Sequence, residues 1–472
     1  MIVMKFGGTS VQDAAAIRNA ASIVGRERER FPLVVVSACA GVTNALLGIA
    51  RKSAEGNLQE ALAAVAALRQ RHFAIAGELF KDERRQSSHE LAQETIDRDC
   101  RELEKLAQSL AVLKELTPRT LDQCAAFGEQ WSSLLLTHEL LQRGCEACLV
   151  DARTVLITGH EFTRATPLFD LIDAKAQEIF LPLLQQHKLA VTQGFIGATQ
   201  NGLTTTIGRG GSDYSAAIFG AALNVDEIQI WTDVDGVLTA DPSILPEARR
   251  IKQMTFNEAA ELAYFGAKVL HPSTILPAIQ KNIPVRVLNS KRPEGRGTLI
   301  TSFVVAPSGA APASSQCIVK SIAYKERITV IAVQSSRMLM AHGFLARLFE
   351  IFATHQKSID VIATSEVGVS LTIDNADNLE AILAELREFA EVRVERDKAV
   401  FCVVGENMKS TRGVAARVFA ALDRAGINVE LISHGGSEIN LTFVIGEAQI
   451  AAAVKCLHDE FFSNVEGNGI FE

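Results

Sequence analysis

The chain has 472 residues, which is long enough for about two to four domains. Its 47 Lys and Arg residues against 55 Asp and Glu residues give a net charge of −8, which argues against a nucleic-acid-binding protein. No apolar run reaches the roughly 18 residues of a membrane span, and the N-terminus does not resemble a secretory signal. With only eight cysteines, which are too sparse for a disulfide scaffold or a structural metal site, we expect a soluble, reduced, cytoplasmic protein.

The first 303 residues alternate between predicted strands and helices. Runs of β-branched residues at 2–6 and 33–37 lead into small or Gly-rich residues, a pattern typical of buried parallel strands. Residues 45–115, with almost no Gly or Pro, predict long amphipathic helices. Further strands are predicted at 147–151, 189–193, 203–207, 227–232 and 285–288, and helices at 212–223 and 257–266. This alternation predicts an α/β domain with a mainly parallel sheet.

The rest of the chain contains an internal duplication. Residues 70 positions apart match without a gap, among them Gly343 and Gly413, Arg347 and Arg417, Phe349 and Phe419, and Leu371 and Leu441. A register kept this long indicates two copies of one unit, and each copy has the βαββαβ order of a ferredoxin-like module. An Ala-, Pro- and Ser-rich stretch predicts a linker. The predicted domains are therefore 1–303, a linker at 304–318, and two modules at 319–396 and 397–472.

Two Gly-rich turns follow predicted strands in the first domain. Lys5 precedes Gly7 and Gly8, and Arg209 lies within Gly208–Asp213. Exposed backbone amides at a helix start, together with a nearby cation, suit a phosphate or carboxylate. The alternative for each turn is a tight strand-to-helix connection with no ligand, but two such turns in one domain are more informative than either alone.

Three further segments carry polar groups close to predicted strands or helices: Ser37–Asn44, Thr232-Asp233 and the segment around Lys268. Two lysines, an arginine and several Gly-rich loops in one domain suit the handling of polyphosphate charge. Phosphoryl transfer depends on positioning and electrostatic stabilisation of this kind. No Ser-His-Asp arrangement is evident, so a hydrolase has little support.

These motifs, in this order and at this spacing, resemble aspartokinase from Met1 to about residue 300. The duplicated region resembles the tandem ACT regulatory domains of that family, in its monofunctional form. The resemblance implies the amino-acid kinase fold and transfer of the γ-phosphoryl group of ATP, with Mg²⁺, to the β-carboxylate of L-aspartate. The product, 4-phospho-L-aspartate, stands at the start of lysine, threonine and methionine biosynthesis.

The resemblance also implies roles for individual residues. Lys5, Asp213 and Lys268 are expected to be catalytic, with Asp213 holding the two lysines in place. The residues expected to bind aspartate are Ser37, Thr43, Glu129, Arg209 and Ser212, with Glu129 facing the substrate ammonium. The residues expected to bind the nucleotide are Lys5, Gly7, Gly8, Thr232, Asp233 and Lys268. Leu238 and Ser243 depart from the Tyr and Arg that family members often carry on the nucleotide side.

The first repeat resembles the effector site of lysine-inhibited aspartokinases. The regulatory residues implied are Met338, Gly343, Phe344, Leu345, Asp360, Thr364, Ser365 and Glu366. Met340 and Ala341 stand where lysine-sensitive relatives often carry His and Ser, so threonine stays an alternative effector to lysine. We expect the repeats to build a homodimer or a dimer of dimers.

Two other functions remain open at this point. One is a related amino-acid kinase that acts on glutamate, acetylglutamate or a nucleoside monophosphate. The other is a catalytically inactive amino-acid sensor. Glu129 in its Gly-Glu context argues against the first, and the presence of Lys5, Arg209, Asp213 and Lys268 argues against the second.

Overall fold

The computed structural model describes residues 1–82, 85–265, 274–303, 319–335, 342–434, 438–463 and 470–472. Its strands are β1 Ile2–Phe6, β2 Pro32–Val36, β3 Ala147–Val150, β4 Ile157–Thr158, β5 Leu189–Gln193, β6 Ile196–Thr199, β7 Thr204–Thr206, β8 Glu227–Thr232, β9 Gln253–Thr255, β10 Val285–Asn289, β11 Thr298–Thr301, β12 Val319–Gln334, β13 Ile362–Thr364, β14 Gly368–Ile373, β15 Glu391–Gly405, β16 Leu431–His434 and β17 Asn440–Gly446. Its helices are α1 Ala14–Arg26, α2 Val42–Ala54, α3 Leu58–Leu79, α4 Gln86–Leu113, α5 Pro118–Gln142, α6 Phe169–Gln185, α7 Gly211–Leu223, α8 Phe256–Tyr264, α9 Leu276–Gln280, α10 Phe344–Thr354, α11 Leu379–Arg387, α12 Val414–Arg424 and α13 Ile450–Phe462.

The described residues form two compact units. Unit 1 comprises Met1–Gly236 and the described part of Val269–Phe303, and unit 2 comprises the described parts of Val237–Lys268 and Val304–Glu472. Residues 237–265 thus cluster with the later unit. None of the described helices is both long and apolar enough to cross a membrane.

Unit 1 is built on a central sheet with the strand order β3-β5-β2-β1-β8-β10-β11. Its strands are parallel except β11, which runs antiparallel to β10. Every residue of β1, β2 and β5 is buried, as expected for the apolar strands of a sheet covered on both faces. Strand β1 pairs with β2 on one of its edges and with β8 on the other, so the order of the strands changes direction at β1. Sheets of this kind bind ligands at the carboxyl ends of the strands beside such a change of direction.

Helices α1 to α5 contribute to an extensive apolar core of unit 1. Helix α5 has a Thr117 cap and Pro118 in its first turn, and most of its length from Asp122 to Leu140 is buried. The sequence did not predict this helix, because a helix that is buried on several sides loses the polar–apolar alternation that marks a surface helix. Helix α6, which buries Ile172, Ala176, Phe180 and Leu184 along one face, was not predicted either. Short strands β4, β6 and β7 form a separate small sheet.

Unit 2 contains a six-stranded sheet with the order β13-β14-β12-β15-β17-β16, in which all pairs are antiparallel. The second half of β12 pairs with β14 and with the start of β15, while residues 319–325 pair with residues 400–405. Each long strand therefore serves both repeats. Residues 319–325, which fall inside the module predicted at 319–396, therefore supply the fourth strand of the second module.

A buried ion pair explains why residues 253–264 cluster with unit 2. The Nζ atom of Lys320 lies 2.7 Å from Oε2 of Glu258, and both side chains are almost fully buried. Glu258 also closes a capping box with Thr255 at the start of α8. An ion pair removed from water in this way is strongly disrupted when one partner is lost.

The fold predicted from the sequence is confirmed in both parts, as an α/β domain with a mainly parallel sheet and two ferredoxin-like modules. Strands 189–193 and 227–232 have the predicted bounds. The strand predicted at 203–207 is shorter, at Thr204–Thr206. The linker at 304–318 lies outside the described residues, and the domain boundaries stay a prediction.

Candidate active site

An open cleft of about 690 Å³ lies in unit 1 at the carboxyl ends of β1 and β2 and beside the first turns of α2 and α7. It brings together seven side chains that the sequence singled out, although they come from four separate segments: Lys5, Ser37, Thr43, Glu129, Arg209, Ser212 and Asp213. The parallel sheet accounts for this convergence, because the ends of neighbouring parallel strands open onto one edge.

Lys5 and Asp213 form an ion pair in this cleft. The Nζ atom of Lys5 lies 2.7 Å from Oδ1 of Asp213, and the side chains are 10% and 18% exposed. Lys5 comes from β1, and Asp213 from the first turn of α7. The carboxylate therefore holds an ammonium group at a fixed place in a site of reduced solvent access, where a charge acts more strongly than in water.

Glycines shape the two loops that border the cleft. A Cβ atom on Gly8 would lie 2.8 Å from the carbonyl oxygen of Ala38, so this close approach requires glycine. Gly208 and Gly210 have φ angles of +83° and +72°, a conformation that glycine adopts without steric cost. The exposed Arg209 lies between these two glycines. The loop therefore presents a guanidinium group at the mouth of the cleft.

Glu129 is a buried acid whose carboxyl group is only partly satisfied. The residue is 3% exposed, and its Oε1 accepts a hydrogen bond of 3.2 Å from the amide of Ala38. Its Oε2 has no hydrogen-bond partner among the described residues. Burial raises the pKa of Glu129 to about 8. An unpaired acceptor in a cleft suits a ligand that brings a positive charge or a hydrogen-bond donor.

The cleft is also lined by residues that the sequence did not single out, among them Asp122, Thr163 and Thr206. The Oδ2 atom of Asp122 accepts hydrogen bonds from the amides of Thr163 and Thr206, at 2.8 and 3.0 Å. The spacing of seven residues between Asp122 and Glu129 places both on one face of a helix. That spacing could have revealed Asp122 if α5 had been predicted.

The predicted nucleotide residues lie at the ends of two adjacent strands. β1 and β8 pair in parallel, with Phe6 opposite Trp231, and the amide of Gly7 donates to the carbonyl of Trp231 at 3.0 Å. Thr232 ends β8, and Asp233 follows it. Gly7, Gly8, Thr232 and Asp233 do not line the cleft described above. Lys268 lies outside the described residues.

In unit 2, the regulatory residues predicted from the sequence differ in exposure. The carboxylate of Asp360 is 4% exposed and contacts the Nζ atom of Lys325 at 3.4 Å. The hydroxyl of Tyr264 donates to the same carboxylate at 3.0 Å. Gly343 precedes α10, which begins with Phe344 and Leu345, while Thr364, Ser365 and Glu366 are exposed. Met338, Met340 and Ala341 lie outside the described residues.

Comparison with known families agrees with this architecture. The amino acid kinase family matches residues 1–289, and an ACT domain matches residues 401–461. The parallel sheet and the cleft at its carboxyl edge therefore belong to an amino acid kinase, and an ACT module follows it.

Individual relatives indicate the family within the amino acid kinases. Lysine-sensitive aspartokinase 3 of Escherichia coli is 37% identical over 98% of this chain and 99% of its own length. Aspartokinase 1, chloroplastic, of Arabidopsis thaliana is 36% identical over 98% of this chain and 80% of its own length. The structure of E. coli aspartokinase III in complex with aspartate and ADP superposes with a TM-score of 0.82 at 36% identity, covering 98% of this chain and 100% of that one. The chain belongs to the aspartokinase family.

Proposed function

We propose that the cleft in unit 1 binds L-aspartate and that the enzyme transfers the γ-phosphoryl group of ATP to its β-carboxylate. The observation that carries this proposal is the unpaired, buried carboxyl oxygen of Glu129, in the same cleft as Arg209 and the Lys5–Asp213 ion pair. A dicarboxylic amino acid offers one ammonium group and two carboxylates. Glu129 suits the first, and the cationic groups suit the others.

The arrangement needs no general base for this reaction. A carboxylate is an anion at neutral pH and attacks phosphorus without losing a proton. Arg209 binds a substrate carboxylate, and Ser37, Thr43 and Ser212 supply hydroxyl groups that border the cleft. Lys5, held by Asp213, neutralises negative charge as it develops on the transferred phosphoryl group. Lys268 has the same role in this proposal.

The nucleotide lies, in this proposal, at the ends of β1 and β8, against Gly7, Gly8, Thr232 and Asp233. The complex of the E. coli relative with aspartate and ADP supports the use of ATP. When bound, Mg²⁺ would neutralise part of the charge of the nucleotide phosphates. Among the described residues, no group of three or more His, Cys, Asp or Glu side chains could hold a metal ion by itself.

One assay separates this function from its alternatives. The enzyme is incubated with ATP, Mg²⁺ and hydroxylamine, which traps an acyl phosphate as a hydroxamate, and either L-aspartate or L-glutamate is supplied. Hydroxamate formed with aspartate and not with glutamate supports the proposal. Formation with glutamate alone would indicate a related kinase, and no product with either would contradict the proposal and leave an inactive sensor or a kinase for another substrate.

The second part of the proposal concerns regulation. Residues 1–303 carry catalysis, and the modules at 319–396 and 397–472 bind an inhibitory amino acid, with L-lysine the expected effector. A structure of E. coli aspartokinase III in complex with lysine and aspartate superposes with a TM-score of 0.80 at 36% identity, covering 98% of this chain and 100% of that one. The side chain of Asp360 in the first module is 4% exposed, and its carboxylate suits the effector's ammonium group.

The modules also join two copies of the chain in this proposal. Leu345 and Phe349 of α10, Ile362 of β13 and Ile432 of β16 are exposed apolar side chains of unit 2. Such side chains on one unit are typical of surfaces that a partner covers. We expect a homodimer or a dimer of dimers, with the effector favouring a state of lower activity. Light scattering of the purified chain gives its oligomeric state.

A further inference from the structure

Asp122 lies near the start of α5 and is 1% exposed. Three donors converge on its carboxylate. Oδ2 accepts from the amide of Thr163 at 2.8 Å and from the amide of Thr206 at 3.0 Å, and Oδ1 accepts from the hydroxyl of Thr206 at 2.7 Å. A carboxylate that accepts several hydrogen bonds from one neighbourhood fixes the backbone that donates them.

The two donating residues belong to separate segments, and both segments border the cleft. Thr163 and Thr206 line it together with Asp122 itself. The amide of Ala165 donates to the carbonyl of Thr206 at 2.9 Å, so the segments are also joined directly. Thr206 ends β7, and the Gly208–Gly210 loop that carries Arg209 follows two residues later. The anchor at Thr206 therefore lies three residues from the guanidinium that faces the cleft.

The conformation of Thr163 is a second, independent observation. Its φ angle is +70°, in the left-handed region that a β-branched residue rarely adopts. Such a conformation is strained and persists only where the surroundings hold it. The hydrogen bond from the amide of Thr163 to Asp122 supplies one such restraint. A Cβ atom on Gly208 would lie 3.4 Å from the carbonyl oxygen of Thr163, so this residue packs against the loop.

We infer that Asp122 is a positioning residue for aspartate recognition: it fixes the 163 segment and the end of β7 so that the loop bearing Arg209 is held ready for the substrate carboxylate. The inference rests on the proposed function, in which Arg209 binds aspartate. Asp122 does not itself bind the substrate, because both of its oxygens are already occupied by donors from the protein.

The chemistry of the three donors indicates which substitutions matter. In Asp122→Asn, the amide oxygen can accept from both backbone amides, and the amide nitrogen can donate to the Thr206 hydroxyl, which also accepts. In Asp122→Ala, the buried amide of Thr206 and the more exposed amide of Thr163 both lose their acceptor, and a buried donor without a partner is unfavourable. The conservative variant therefore keeps the loop in place, whereas the alanine variant releases it.

The test compares steady-state kinetics of the full-length enzyme and these two variants. We expect Asp122→Ala to raise the KM for L-aspartate at least about tenfold and to change the KM for ATP less than about twofold. Asp122→Asn should keep both KM values within about threefold of the wild-type values. Asp99→Ala is the matched control, since Asp99 is also buried and accepts hydrogen bonds from Trp131 and Arg98 but does not line the cleft. This control should lower the melting temperature and leave both KM values unchanged.

Two further variants separate the role of Asp122 from a loss of folding and from a failure of the proposed function. If Asp122→Ala does not fold, Thr206→Val removes one of the three hydrogen bonds and should raise the aspartate KM about threefold. Arg209→Ala tests the proposed function separately. If it leaves the aspartate KM unchanged, the proposed function fails. If Arg209→Ala raises this KM but the folded Asp122→Ala and Thr206→Val variants do not, or if KM for ATP rises as much as KM for aspartate, the role of Asp122 is refuted.

Discussion

Replacing Glu129 with glutamine keeps the size of the side chain and removes its negative charge. The residue is buried, with one carboxyl oxygen that has no hydrogen-bond partner in the described part of the chain. In our account, that oxygen receives the ammonium group of L-aspartate. The variant should therefore weaken aspartate binding and leave ATP binding unchanged. The loss of aspartate affinity should depend on pH.

The magnitude follows from the pKa of Glu129, which burial raises to about 8. At pH 7 the carboxyl group in the empty cleft is mostly protonated, so ionising it on binding costs about 1 kcal/mol. A hydrogen bond to a charged group contributes about 1.5–3 kcal/mol. The variant should then lose at most about 2 kcal/mol of binding free energy at pH 7, and about 1–3 kcal/mol at pH 8, where the ionisation cost is smaller. The Kd of aspartate would rise up to about 30-fold at pH 7 and about 5- to 150-fold at pH 8.

Isothermal titration calorimetry measures both consequences. Aspartate binding to the wild-type enzyme at pH 7 should release about 0.9 proton, seen as a dependence of the binding enthalpy on the ionisation enthalpy of the buffer. The wild-type Kd should fall about fivefold from pH 7 to pH 8. Glu129→Gln should release no proton and show no such fall. Equal proton release by the two proteins, or a larger effect on ATP than on aspartate, would refute this account of Glu129.

The same pKa has a consequence for stability without substrate. Because burial raises the pKa of this acid above its usual value of 4.5 to about 8, the folded protein loses stability as pH rises between these two values. The free energy of unfolding of the wild-type protein should therefore fall relative to that of Glu129→Gln over this interval. Melting temperatures at pH 6 and pH 8 check the sign.

Lys5→Ala should lower kcat at least roughly 100-fold with little change in the Kd of aspartate, because the ammonium acts mainly on charge in the transition state. Lys52→Ala, which removes an exposed lysine paired with Glu60, is the control. A kcat close to wild type in Lys5→Ala would exclude a catalytic role for Lys5. Arg209→Lys should raise the aspartate Kd about tenfold, since lysine keeps the charge but loses the two-pronged geometry of the guanidinium; an unchanged Kd would contradict the assignment. L-Lysine at millimolar concentration should inhibit the wild-type kinase and not Asp360→Ala, whereas Glu430→Ala, at the matching place in the second repeat, should stay inhibited. Insensitivity of the wild type to lysine, or inhibition retained in Asp360→Ala, would refute the effector assignment.

Much of the fold could be predicted because its signals are local. The apolar β-branched runs of β1, β2 and β5 and the repeat every 70 residues are properties of the sequence alone. Helix α5 was missed, since its burial on several sides removes the alternation of polar and apolar residues. The placement of residues 319–325 as the fourth strand of the second module was also missed. Pairing between segments so far apart in the chain leaves no local pattern.

Much of the cleft could be predicted because several of its residues lie at the ends of predicted strands. Lys5, Ser37 and the Gly208–Asp213 loop each follow or end a predicted strand. Asp122 could not be found in this way, because its role depends on hydrogen bonds to Thr163 and Thr206, which lie 41 and 84 residues away. The contacts of Asp360 with Tyr264 and Lys325 likewise arise only from the folded chain.

The central claim is that L-aspartate binds in this cleft with its ammonium group on Glu129. A crystal structure of the enzyme with L-aspartate tests it most directly. We predict the substrate nitrogen within about 3 Å of Oε2 of Glu129 and a substrate carboxylate against the guanidinium of Arg209. Aspartate bound elsewhere, or bound here with a carboxylate facing Glu129, would contradict the account.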